Sequence, residues 1–173
     1  MKPIIVSRDE EEIHLNNDQH RVFLNHALKI AAENVKLSGG GPFGAVIVKD
    51  GKIIAEGVNK VTVICDPTAH AEVSAIREAC NVLQTFDLSG CTLYTSCEPC
   101  PMCFGAIYWA KLDDVYFAAS RKDAANVDFA DDFIYDEVSL AIEQRTKPFT
   151  QIKMDNRLEP FRLWHTKSDK TPY

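Results

Sequence analysis

Residues 70–72 (HAE) and 99–103 (PCPMC) are the two stretches around which the chain is organised. Each opens a segment whose apolar residues recur at helical spacing, so both are expected at the beginning of a helix. His70, Cys100 and Cys103 then offer one imidazole and two thiolates, which are ligands that zinc accepts in proteins. Three protein ligands leave the fourth position of a tetrahedral zinc ion to water, which is typical of catalytic sites.

Glu72 follows His70 by two residues and is predicted to be the base beside that water. Two thiolates and a neutral imidazole cancel the formal charge of Zn²⁺. We therefore expect the metal to acidify its water less than an all-histidine site does, where the pKa of the bound water is about 7. A carboxylate that takes the proton is needed, and Glu72 supplies it.

The cysteines leave other interpretations open. A Cys-x-x-Cys pair alone also fits a redox pair or half of a structural zinc knuckle, but its combination with His-x-Glu favours a catalytic zinc ion. Cys97 offers a third thiolate, and a structural site made of His70 and three cysteines would leave Glu72 idle. Because Cys97 precedes Pro99, we expect it on the approach to the helix and leave it out of the predicted ligand set.

The composition indicates one soluble domain. The chain has 173 residues, 46% of them hydrophobic, which is enough for a single core of ordinary size. Its net charge of −6 argues against nucleic acid as a partner. Six cysteines, at least two of them assigned to metal, favour a reducing compartment. Neither a signal peptide nor an apolar stretch of roughly 18 residues is found, so a cytoplasmic protein without a membrane partner is predicted.

The order of the predicted elements indicates an α/β fold. Residues 1–16 are expected to be a flexible N-terminal tail and residues 17–173 a single domain. Strands are predicted at about 43–48, 52–58, 92–95, 115–119 and 149–154, and helices at about 18–37, from 70, from 100, 132–145 and 158–165. Together they predict a three-layer αβα fold, a mixed five-stranded sheet with helices on both faces, in which the fourth and fifth strands are parallel.

Local patterns add detail to these elements. Asp50-Gly51 predicts a tight hairpin between the first two strands, and Thr68 is predicted to cap the helix that carries Glu72. Trp109, near the end of the following helix, is expected to be a core residue. The buried stripe of the first helix is predicted to be Leu24, Ala27, Leu28, Ala31 and Val35.

The glycine-rich residues 39–44 (GGGPFG) lack the Lys-Ser/Thr of a phosphate loop and precede a strand, which excludes that motif. Gly44 is expected to let the backbone approach a ligand. Phe43 fits either a ring face offered to that ligand or a core position. Asn59, just past the end of a strand, fits either a site residue or a turn residue.

Residues 67–72 (PTAHAE) and 98–103 (EPCPMC) resemble the cytidine-deaminase-like superfamily of zinc nucleobase deaminases, whose H-x-E and P-C-x-x-C signature they carry. The longer stretches at 40–51, 66–73 and 93–103 are similar to the small bacterial guanine deaminases, as are 105–110 (GAIYWA), 133–135 (FIY) and the terminal Tyr173. The likeness runs from about Asp18 to Tyr173. The first 16 or so residues have no counterpart in it.

The resemblance implies one zinc ion per subunit, bound by His70, Cys100 and Cys103, with Glu72 as the proton shuttle. It places Asp131 at the polar edge of the substrate, where Asp128 and Asp132 are close enough in sequence to be alternatives. Within a homodimer the family exchanges C-terminal segments, so that the terminal tyrosine reaches the partner's site. The implied substrate contacts are Phe43, Asn59, His70, the backbone of Ala71, Trp109 and Tyr173.

The reaction implied by the resemblance is hydrolytic deamination of guanine, a small-molecule purine base, to xanthine and ammonia. An acidic residue at the ring N–H edge suits guanine, which presents donors there, better than adenine or cytosine. Guanosine is the nearest alternative substrate, followed by cytosine or cytidine. A tRNA adenosine deaminase shares the motifs but should carry a basic surface, which this acidic chain lacks. A zinc-stabilised interaction module without turnover is the alternative that is not an enzyme, and it would be indifferent to replacement of Glu72.

Overall fold

The computed structural model describes residues 16–173, so nearly all of the predicted tail, residues 1–16, lies outside the described residues. The strands are β1 (Gly44–Lys49), β2 (Lys52–Val58), β3 (Cys91–Cys97) and β4 (Asp114–Ala119). The helices are α1 (Asn17–Lys36), α2 (Val61–Ile64), α3 (Ala71–Leu83), α4 (Pro101–Ala110), α5 (Arg121–Ala125), α6 (Asp132–Ser139), a 3₁₀ turn (Ile142–Gln144) and α7 (Glu159–Thr166). Among these residues, no helix combines the length and the apolarity that crossing a membrane requires.

The four strands form one mixed sheet in the order β2-β1-β3-β4. β1 is antiparallel to both β2 and β3, whereas β3 and β4 are parallel and α4 crosses between them. Asp50 and Gly51 both have positive φ, 49° and 70°, as the predicted tight hairpin turn between β1 and β2 requires. A mixed sheet is therefore confirmed.

The predicted fifth strand is wrong. Residues 149–154 (FTQIKM) include three large apolar side chains, but they form no strand and are exposed along their whole length. A strand exists only where a neighbour pairs with its backbone, and within the described chain these residues have none. The sheet therefore has four strands, and the predicted parallel fifth strand does not form. The helix predicted at 132–145 is also shorter, since α6 ends at Ser139.

The alternating side chains of β1 divide the core into two layers. Ala45 and Ile47 pack on one face of the sheet with residues of α3 and α4. Val46 and Val48 pack on the other face, against Phe23 of α1 and Tyr94 of β3. Helices thus cover both faces of the sheet, which confirms the three-layer arrangement.

Both helices that carry the HAE and PCPMC stretches begin at a predicted metal ligand. His70 is the N-cap of α3 and Cys100 is the N-cap of α4, with Pro101 at the first helical position. The predicted cap Thr68 is wrong because its backbone N–H and its hydroxyl both donate to the carboxylate of Asp66, at 2.8 and 2.7 Å. A chain turn precedes α3 instead, and it brings the imidazole to the end of the helix.

The C-terminal segment from Leu140 onwards contributes little to this core. Its apolar side chains remain largely exposed within the chain, including Phe161 and Leu163 of α7. Trp109 of α4, predicted to be a core residue, is 70% exposed. The prediction is wrong for this chain because α4 turns its Trp109 face to solvent and packs on the sheet through Ile107 and Ala110.

Candidate active site

The two helix N-termini bring His70, Cys100 and Cys103 together. Nδ1 of His70 lies 3.4 Å from Sγ of Cys100 and 3.6 Å from Sγ of Cys103, and the three donor atoms all lie within 4.8 Å of one another. Ligand atoms at zinc distances of about 2.0–2.3 Å from a tetrahedral ion are about 3.6 Å apart. The spacing and the chemistry of this donor set therefore both fit zinc.

Cys97 turns its thiol away from this cluster. Its Sγ donates to the backbone carbonyl of Ser120, 3.6 Å away, and burial raises the pKa of the Cys97 thiol to about 11. Among the described residues, the group that could hold a metal ion consists of His70, Cys100 and Cys103, and Cys97 is not part of it. The arrangement therefore matches three protein ligands with one open position, and it does not match a structural site with four protein ligands.

Glu72 lies on the first turn of α3 beside the ligands. Its side chain is 6% exposed, and its Oε2 accepts a hydrogen bond from Sγ of Cys103 at 3.4 Å. Burial is the main reason that the pKa of Glu72 is raised above its ordinary value, since removal of water penalises the charged carboxylate. A raised pKa makes the Glu72 carboxylate a stronger base, which suits a group that takes a proton and later returns it.

The charges within the cluster depend on its hydrogen bonds. The pKa of Cys100 is lowered, chiefly because the Cys103 thiol hydrogen-bonds to its sulfur and also because of His70. The pKa of His70 is raised, chiefly by its hydrogen bond with Cys100. Cys100 is also the N-cap of α4, where the helix dipole favours a negative charge. A thiolate, which is the form that binds metal, is therefore favoured at Cys100.

A cavity of about 690 Å³ opens in front of these residues. His70, Glu72 and Cys100 line it on the metal side, and Phe43 lies on another wall, with its ring perpendicular to that of Phe129 at a centroid distance of 5.0 Å. The volume falls within the range of about 300–1,000 Å³ that is usual for small-molecule sites. The other residues of the wall are Ser38, Gly40, Gly41, Asn59, Val61, Thr62, Cys97, Glu98, Arg121, Ala124, Asp128, Ala130 and Asp131.

Asn59 is held with its amide plane fixed. Its Oδ1 accepts hydrogen bonds from the backbone N–H groups of Gly41 and Val61, both at 3.3 Å. Among the described residues, its side-chain hydrogen bonds are the two to Oδ1, so its NH₂ group has no partner, and the residue lines the cavity. Asn59 therefore presents a donor to whatever occupies the cavity.

Of the three candidate aspartates, Asp131 and Asp128 line the cavity. Asp131 is the N-cap of α6, and burial is the main cause of its raised pKa, with the charge of Cys100 adding to it. Asp132 is not part of this wall, and its Oδ1 lies 3.6 Å from Nε of Arg121. The structure thus brings Asp131 to the same cavity as Glu72 and Asn59.

Residues 17–119 match the sequence family of the cytidine and deoxycytidylate deaminase zinc-binding region. The match spans more than half of the chain, from the first residue of α1 to the last residue of β4, and it includes both signature stretches. This chain belongs to that deaminase family.

Within this family, the chain is similar to individual guanine deaminases and to tRNA-specific adenosine deaminases. Guanine deaminase of Bacillus subtilis is 55% identical over 154 residues, which are 89% of this chain and 99% of that protein. Its crystal structure matches with a TM-score of 0.87 and 53% identity, covering 92% of this chain and 99% of the solved one. The solved guanine deaminase from Nitrosomonas europaea matches with a TM-score of 0.62 and 33% identity, over 68% of this chain and 66% of that one. A tRNA-specific adenosine deaminase of Aquifex aeolicus is 45% identical over 103 residues, 58% of this chain and 68% of that protein. The protein is therefore an enzyme, a hydrolytic deaminase, and zinc is its metal.

Two predicted substrate contacts of the deaminase lie away from its cavity. Trp109 and Tyr173 are 70% and 76% exposed, and their ring centroids are 6.1 Å apart. Phe86 and Trp164 lie beside Tyr173, at centroid distances of 6.4 Å each. Within one chain, neither Trp109 nor Tyr173 lines the wall near Glu72. Ala71 is fully buried at the first position of α3, next to His70.

Three residues of the deaminase escaped the sequence analysis. Asn34 of α1 donates to the backbone carbonyl of Asn59, Arg121 lines the cavity, and Tyr135 of α6 donates to the carbonyl of Pro99. Their roles rest on contacts between residues 7 to 36 positions apart, which no periodicity or local motif indicates. Phe129 could have been found, since it is an aromatic residue within an acidic loop.

Proposed function

We propose that this deaminase hydrolyses guanine to xanthine and ammonia, with one zinc ion per subunit. The observation that carries the proposal is the identity to the Bacillus subtilis guanine deaminase, which extends over nearly the full length of both chains. Supporting it, Asn59 and Asp131, the residues expected to read a purine, share a cavity with the zinc ligands and Glu72. We also propose that the protein is located in the cytoplasm.

When bound, zinc supplies a Lewis acid that lowers the pKa of a water molecule at the open position. Glu72 accepts a proton as water adds to C2 of guanine, and it delivers that proton to the adjacent ring nitrogen. A second proton reaches the exocyclic amine through Glu72 or Asp131, and the C2–N bond breaks to release ammonia. Guanine plus water thus becomes xanthine plus ammonia, with Glu72 returned to its starting state.

The remaining cavity residues are proposed to hold the base. The NH₂ group of Asn59 donates to an acceptor on the base, and the carboxylate of Asp131 accepts from the ring N–H edge. The backbone of Ala71 contacts the base as well, while Phe43 and His70 pack against its faces. Stacking between two rings fixes the plane of the base, and the hydrogen bonds at its edge orient C2 towards the metal side.

We propose that two chains form a homodimer in which C-terminal segments are exchanged. Trp109 and Tyr173, which lie together outside the cavity of their own chain, would then contribute to the cavity of the partner. The proposal is supported by the exposed apolar side chains of α7 and of α4, which a single chain leaves uncovered. It also accounts for a cavity that is open on one side in a single chain.

Guanosine is the second candidate, because a cavity of about 690 Å³ in a single chain gives no steric reason to exclude a ribose. Ammonia release from guanine, guanosine, adenine, cytosine and cytidine, measured in parallel on the zinc-loaded protein, distinguishes the candidates. We expect turnover of guanine to exceed all others clearly. Equal or faster turnover of guanosine would overturn the substrate assignment and leave the chemistry unchanged. Sedimentation equilibrium of the same preparation tests the dimer.

A further inference from the structure

Asn34 is a buried polar side chain near the end of α1, 8% exposed. Its Nδ2 donates two hydrogen bonds, one to the carbonyl of Gly41 at 2.9 Å and one to the carbonyl of Asn59 at 2.8 Å. These carbonyls belong to the two loops that form one wall of the cavity. A single carboxamide therefore joins the glycine-rich loop to the end of β2.

The glycines of this loop are fitted around the two asparagines. A Cβ atom on Gly39 would lie 2.3 Å from Oδ1 of Asn34, and one on Gly40 would lie 2.2 Å from the carbonyl oxygen of Asn59. Gly40 also has φ of +134°, which residues with side chains rarely adopt. The glycine-rich sequence is thus explained by close approach of the loop to Asn34 and Asn59, and phosphate binding is not needed to account for it.

The loop in turn fixes the side chain of Asn59. The N–H of Gly41 donates to Oδ1 of Asn59, while the carbonyl of the same Gly41 accepts from Asn34. Asn34 also holds the backbone of Asn59 directly. The backbone carbonyl and the side-chain oxygen of Asn59 are therefore both held by contacts that lead back to Asn34, while its NH₂ group has no hydrogen-bond partner among the described residues.

We propose that Asn34 is a positioning residue for substrate recognition, acting through Asn59. This inference depends on the proposed function in one respect, namely that Asn59 donates a hydrogen bond to a bound purine base. Removal of the Asn34 carboxamide leaves the buried carbonyl of Asn59 and the partly buried carbonyl of Gly41 without this donor. The loop is then free to move, so that the NH₂ group of Asn59 loses its orientation. The proton chemistry at Glu72 is not touched by this change.

The test is the kinetic separation of binding from chemistry in Asn34→Ala. We expect KM for guanine and the Kd of 8-azaguanine, used here as an analogue of guanine, to rise about tenfold, as for one lost hydrogen bond to the ligand. The value of kcat should stay within about threefold of wild type. Zinc content should be unchanged. If Asn34→Ala does not fold, Asn34→Ser, which keeps one donor on a shorter side chain, is measured instead with the same expectation.

Tyr94→Phe is the matched control. It also removes a hydrogen bond between α1 and the sheet, which joins the Tyr94 hydroxyl and Nδ1 of His20 at 2.8 Å, but on the face away from the cavity. We expect it to lower the melting temperature as Asn34→Ala does while leaving KM and Kd unchanged. Equal KM values in the two variants would overturn the inference. A wild-type protein that binds 8-azaguanine but does not deaminate guanine would overturn the proposed function alone, and one that does neither would overturn both.

Discussion

The hydroxyl of Tyr135 donates a hydrogen bond to the backbone carbonyl of Pro99, 3.0 Å away. This bond joins α6, whose N-cap is Asp131, to the turn that ends in Cys100, a predicted metal ligand. The guanidinium of Arg121 lies over the Tyr135 ring, 4.7 Å from its centroid, and keeps the ring in place. Tyr135 therefore sets the distance between an aspartate of the cavity and the zinc site.

Tyr135→Phe should keep the ring and lose the bond to Pro99. We expect a loss of stability of about 1 kcal/mol, as for one hydrogen bond, and faster loss of zinc to a chelator because the Cys100 turn is less restrained. Tyr108→Phe removes an exposed hydroxyl from α4 and is the control. Zinc release at the wild-type rate in Tyr135→Phe would show that the bond does not support the metal turn.

Glu72→Gln should abolish activity without loss of the fold. Because proton transfer by a positioned side chain contributes about 10²–10⁴-fold, kcat is expected to fall by at least that factor, while zinc content stays at the wild-type value. Glu78→Gln, an exposed change on the same helix, is the control and should leave kcat unchanged. Activity near that of wild type in Glu72→Gln would show that Glu72 is not the group that transfers the proton.

Single serine substitutions should separate the ligands from the other cysteines. Cys100→Ser and Cys103→Ser are expected to lose zinc and, with it, the stabilisation that a bound ligand gives, about 2.7 kcal/mol when free zinc is a hundred times its Kd. Cys97→Ser and the exposed Cys65→Ser should retain zinc, because neither thiol belongs to the cluster. The readouts are metal content and melting temperature with and without chelator. Zinc loss in Cys97→Ser would show instead that Cys97 is a fourth protein ligand and that the site is structural.

The metal site could be predicted from the sequence because its chemistry is local. His70 and Glu72 are two residues apart, Cys100 and Cys103 three apart, and each pair starts a helix with a readable apolar pattern. The hairpin at residues 50–51 is equally local. In each case the residues that decide the structure are neighbours in the chain.

Features that depend on distant partners could not be predicted. The buried face of α1 runs through Phe23, Ala27, Ala31 and Asn34. The predicted stripe included Leu28 and Val35, which are exposed. The sequence does not show that a polar Asn34 finds both of its acceptors in loops 7 and 25 residues away. The missing fifth strand has the same cause, since the residue types at 149–154 can indicate strand propensity but not the presence of a neighbouring strand.

Gly57 of β2 lies against the backbone of α3, at the end that carries His70 and Glu72. A Cβ atom there would be 2.2 Å from the carbonyl oxygen of Ala71 and 2.4 Å from the nitrogen of Ala75. Because these are backbone atoms of a packed helix, Gly57→Ala must displace α3 from the sheet, at a cost of roughly 1–3 kcal/mol.

We expect Gly57→Ala to lower the melting temperature and also kcat, since displacement of α3 moves Glu72 relative to the thiols of α4. Gly105→Ala is the same chemical change in α4, where a Cβ atom meets nothing within 4 Å, and a helical alanine should gain up to about 1 kcal/mol. Thermal unfolding and guanine turnover of the two variants are compared. If both alanines were equally tolerated, close contact between β2 and α3 would not be what holds Glu72 at the metal.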